Sequence, residues 1–117
     1  MEDFLMKEID KISEMLSIIA SKLGLGSYVV PSEELAEQLN RELVGRLDID
    51  IYELLEMFNP IEYLVSQQEF SDSSIESLAI MLHQAMPESN ALNMFIKSAT
   101  EYLDNRGFFS FALHSIL

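Results

Sequence analysis

Apolar residues recur every three or four positions along most of this chain, the period of one face of a helix. In the first segment, about residues 3–23, Leu5, Ile9, Ile12, Leu16, Ile19 and Leu23 step by 4, 3, 4, 3 and 4. That is a heptad-type stripe, widened by Met6, Met15, Ile18 and Ala20. Gly24 and Gly26 stop the helix by supplying left-handed backbone. Three heptads are marginal for a free coiled coil, so the stripe either lies on the body of the chain or pairs with another chain. Residues 25–31 form a linker in which Tyr28, Val29 and Val30 are apolar enough to lean on the core.

The pattern continues through 32–117. Ser32 caps a second helix whose Leu35, Leu39, Leu43 and Leu47 step by four, with Glu33 and Glu34 in its positive first turn. Asp50 with Glu53 forms a capping box for a short helix, with Ile51, Leu54, Leu55 and Phe58 as its buried stripe. Asn59-Pro60 ends it, and Pro60 can start the next short helix, which carries Ile61, Tyr63, Leu64 and Val65. The cluster Phe70-Ser71-Asp72-Ser73-Ser74 precedes the fifth helix, and Ser73 with Glu76 matches a second capping box. Ile75, Leu78, Ala79, Leu82 and Ala85 make its inner face, and Pro87 ends it. A sixth helix, about 88–104, turns Leu92, Phe95, Ile96, Ala99, Tyr102 and Leu103 inward. Asn105-Arg106-Gly107 stops it, and residues 108–117 form the last. The expectation is a single all-α domain, 1–117, of six to seven helices: an amphipathic helix (1–24), a linker (25–31) and a helical body (32–117). Four Gly, three Pro and 49% apolar residues agree with an all-helical core.

The run IKSATEYLDNRGFFSFALHSIL resembles a tetratricopeptide-type helix pair. Gly107 stands at the turn, an aromatic (Phe109) two residues on, and Ala112 three beyond it, followed by Leu113. The resemblance implies that the alanine lets two helices approach and the aromatic fills the wedge between them. It covers about a quarter of the chain, and no second copy stands at the 34-residue period of such repeats. The stretches DFLMKEIDKISEMLSIIASKLGL, LDIDIYELLE and ESLAIMLHQA are similar to small uncharacterised bacterial proteins, in which an N-terminal amphipathic helix precedes a repeat-like body. That resemblance implies a fold and brings no catalytic residue.

Charge narrows the partners. The net charge is −13, and from Glu33 to Glu88 thirteen acids face only Arg41 and Arg46. Such a surface repels nucleic acid and anionic membrane. It serves solubility, a docking surface for a basic partner, or, more rarely, nucleic-acid mimicry. The absence of cysteine removes disulfides and thiolate metal sites. No apolar run reaches the roughly 18 residues of a spanning helix. The N-terminus MEDFLMKEIDK lacks a basic region followed by an apolar block, so a secretory signal is not expected and a cytoplasmic location is.

Chemistry is scarce. His83 and His114 have neither a second histidine nor a carboxylate at i+3 or i+4, so a hydrogen-bonded structural role is expected of them. Asp48, Asp50, Glu53 and Glu56 cluster in nine residues, but they lack the turn glycine and ligand spacing of a calcium loop. Neither a phosphate-binding glycine loop nor a nucleophile motif occurs. Catalytic residues, cofactors and metal ligands are therefore not expected. The favoured function is a non-catalytic helical module for protein–protein interaction, a homodimer in its simplest form. Its candidate surfaces are the first stripe (Leu5, Ile9, Ile12, Leu16, Ile19) and the uncharged C-terminal helix (Phe108, Phe111, Ile116). The alternative is a divalent-metal or enzymatic protein using the acidic segment 48–56.

Overall fold

The structure, a computed structural model, describes residues 11–26 and 29–117. Within them, seven helices follow one another: α1 Lys11–Leu23, α2 Glu33–Leu47, α3 Ile51–Glu56, α4 Pro60–Ser66, α5 Asp72–Ala85, α6 Asn90–Asn105 and α7 Phe111–Ile116. The chain is all-α, as its pattern requires. Leu5 and Ile9 of the first stripe, and Tyr28 of the linker, lie outside the described residues.

Side-chain caps set the helix starts. Ser32 Oγ accepts the Leu35 amide at 3.0 Å, and Asp50 Oδ1 accepts those of Tyr52 and Glu53 at 2.9 and 3.1 Å. Asn59 caps α4 one residue before Pro60, and Ser89 and Ser110 cap α6 and α7. Each cap satisfies an amide that the helix leaves without a carbonyl. The cap of α5 differs from expectation. It is Ser71, whose Oγ accepts the Ser74 amide at 3.2 Å, and Ser73 falls inside the first turn. Burial decides the register. Ser74 is fully buried, with its hydroxyl 2.8 Å from that of Ser13 on α1 and 3.0 Å from that of Ser71.

The ends of α1, α2, α4 and α6 share one device. Gly24 (φ 73°), Asp48 (φ 56°), Glu69 (φ 58°) and Gly107 (φ 80°) are left-handed. The residue after each, Leu25, Ile49, Phe70 and Phe108, turns its amide back to a carbonyl of the helix just completed. Leu25, Ile49 and Phe70 are buried and Phe108 is half-buried against the core, so each reversal also seats an apolar side chain.

The core is one cluster to which all seven helices contribute. The central α5 packs on α1, α2, α6 and α7, which is why Ile75, Leu78, Ala79, Met81, Leu82 and Ala85 are all buried. Leu16 and Ile19 of the first stripe are fully enclosed by their own chain, and Ile12 is half-buried against it. Two sequence expectations fail on exposure. Phe58 is fully solvated, because α3 stops at Glu56 and Met57 is extended, which puts Phe58 beyond the helix whose stripe it would join. Pro60 enforces that stop by disfavouring helical backbone at Asn59. Val30 is 70% exposed, whereas its neighbour Val29 packs against the core.

Candidate interaction face

After Gly107 the chain reverses onto α6 and α5, and Leu113 of α7 becomes fully buried. Capping by Ser110, itself buried with Oγ accepting the Leu113 amide at 3.1 Å, sets the phase of this short helix. With Leu113 inward, a 100° step per residue turns Phe111 outward. Phe111 is 83% and Phe109 63% exposed. The two rings meet edge to face at 5.9 Å between centroids, a favoured aromatic geometry. Phe109 also stacks on His114 at 4.4 Å. The imidazole is fixed in turn by Asp104 at the end of α6, with both carboxylate oxygens 3.0 Å from Nε2. A carboxylate only accepts, so Nε2 carries the proton and donates.

The aromatic pair is therefore held by a built scaffold. Asp104 positions His114, His114 supports Phe109, and Phe109 supports Phe111. The histidine is hydrogen-bonded as expected, through a partner ten residues away that helical spacing does not reveal. Arg106 lies beside this turn, its Nε 2.7 Å from Asp72 and its guanidinium over the Tyr102 ring. That hydrogen bond to Asp72, before the Coulombic attraction, raises the arginine above its ordinary pKa.

The other C-terminal candidates lie differently. Phe108 and Ile116 are half-buried against the core. Ile116 and Leu117 line a cleft of about 420 Å³ with Asn93, Ile96 and Lys97. The positions that the repeat resemblance turns into the helix–helix wedge, Phe109 and Ala112, both face solvent. Leu113 and Phe108 make the contacts instead.

The acidic segment 48–56 does not converge. Asp48 is the left-handed cap of α2, and Asp50 is occupied by the α3 amides. Asn40 approaches Asp50 at 3.4 Å while its own Oδ1 accepts the Ile51 amide at 2.7 Å. Glu53 and Glu56 point to solvent. Among the described residues, no three His, Cys, Asp or Glu side chains come together as a cation site. His83 departs from expectation: its Nδ1 is buried with no hydrogen-bond partner among the described residues. Among the described residues, no helix is long and apolar enough to cross a membrane. No protein-family model, curated protein or solved structure matches the chain.

Proposed function

We propose that this protein is a non-catalytic helical module for protein–protein interaction and that it self-associates through the Phe109–Phe111 face. The observation that supports this most is two phenylalanines displayed to water by a positioned scaffold. Together their exposed rings amount to something on the order of 300 Å², taking each as 150–250 Å² when covered. That is less than the roughly 800 Å² per partner of a standard interface, and aromatic residues of this kind are enriched at interfaces.

Charge favours a second copy meeting here. Two bodies of net charge −13 repel across most approaches. The last eleven residues carry no acidic side chain and no lysine or arginine, so two copies meeting here bring few like charges together. A two-fold pairing sets the patch against itself, ring edges against ring faces.

The test is sedimentation equilibrium on the full chain over a wide concentration range, with Phe111→Asp alongside. Because Phe111 is 83% exposed, the variant keeps its fold, and an unchanged thermal melt establishes that. A concentration-dependent dimer lost in the variant supports the proposal. A monomer at every concentration overturns self-association, as does a dimer indifferent to Phe111→Asp.

A further inference from the structure

A second surface stands apart from the aromatic face. A groove of about 360 Å³ opens between the start of α2, Tyr52 on α3 and the turn from α5 to α6. Its apolar surface is Ala36, Ala85, Met86 and Pro87, with the Tyr52 ring, 50% exposed, on one side. Glu33 and Glu88 line its rim, both exposed and neither in an ion pair with another described residue. Among the described residues, no lysine or arginine lines it.

Two effects of opposite sign act on an ion there. The N-termini of α2 and α6 open at Ser32 and Ser89, each worth roughly half a positive charge. Glu33 and Glu88 in the lining, with Glu34 in the same first turn of α2, carry three full negative charges. The negative field wins, and the groove selects a cation. Its floor selects an aliphatic stem, and an exposed tyrosine ring attracts a guanidinium or ammonium placed over it.

We propose that this groove docks a basic segment of a partner protein. One arginine or lysine lays its stem on Ala85, Met86 and Pro87 and its charge between Glu33 and Glu88, beside Tyr52. The site is independent of the self-association proposed above, since none of its residues belongs to that face. It also gives a local role to the acidic excess that otherwise only keeps the chain apart from its neighbours.

The experiment is an amide chemical-shift titration of the isotope-labelled full chain with the capped probe peptide acetyl-Leu-Arg-Arg-Leu-amide at low salt. The peptide with both arginines replaced by glutamine is the control. The expected result is saturable shifts centred on Glu33, Tyr52, Met86 and Glu88, absent with the glutamine peptide. Glu33→Gln combined with Glu88→Gln weakens binding about fivefold, the scale of two exposed ion pairs. Shifts spread evenly over the acidic helices and unaffected by that double variant overturn the proposal, as does no saturable binding. Groove shifts that track protein concentration without peptide assign the surface to a second copy and also overturn it.

Discussion

Leu54 and Phe58 stand four residues apart, one helical turn by sequence, and the structure gives them opposite fates. Leu54 is 1% exposed in the core, while Phe58 is fully solvated beyond the end of α3. Leu54→Ala removes three buried carbons, worth about 2.4 kcal/mol in transfer at ~0.8 kcal/mol each. Incomplete collapse around the vacancy raises this to roughly 3–4 kcal/mol. Phe58→Ala removes a larger side chain but no covered surface, so its cost stays within about 0.5 kcal/mol. At about 4 °C per kcal/mol for a chain of this size, the first variant melts ~12–16 °C lower and the second within ~2 °C of the parent. Circular-dichroism melts of both variants, run side by side at one protein concentration, measure the difference. A Phe58→Ala loss comparable to that of Leu54→Ala refutes the reasoning, because it means the ring is covered and α3 does not stop at Glu56.

Three further variants probe other links in the fold. The Glu42 carboxylate accepts from Lys22 Nζ at 2.7 Å and Arg46 Nε at 3.0 Å, and those hydrogen bonds, Lys22 first, hold it below the usual carboxylate range. A lowered folded-state pKa contributes stability above the ordinary carboxylate value and loses it as pH falls through the folded one. Glu42→Gln therefore melts below the parent at neutral pH, the two melts converge in acid, and parallel melting curves from pH 7 to pH 3 contradict this. Ser71→Ala costs about 1 kcal/mol and Ser73→Ala within about 0.5 kcal/mol in urea unfolding, and the reverse order sinks the assignment of the α5 cap.

The caps show how far local chemistry carries. Ser32 and Asp50 are legible because a short polar side chain just ahead of an apolar period satisfies free amides wherever it occurs, whereas Asn59, read from sequence as a helix end, caps α4. The α5 start is ambiguous in the sequence because Ser71 and Ser73 are equally good caps locally. Contact with Ser13, sixty-one residues from Ser74, settles the choice by burying Ser74. Helix ends divide the same way. Gly24 and Gly107 announce left-handed backbone, whereas Asp48 and Glu69 adopt it because Ile49 and Phe70 are drawn into the core.

The candidate surfaces were less legible than the fold. Phe111 was identified from composition, but its partners Phe109, His114 and Asp104 come together only when Gly107 reverses the chain. The groove at Tyr52 joins three chain segments far apart in sequence, and no spacing rule reaches across them.

By itself, the sequence determined that the chain is helical, where most helices begin, and that its surface is acidic. Those follow from side-chain period, local hydrogen bonding and charge, which act within a few residues. Tertiary structure alone decided which apolar side chains remain in water. Exposure depends on what lies across the core, and the two sides of each contact are supplied by segments tens of residues apart.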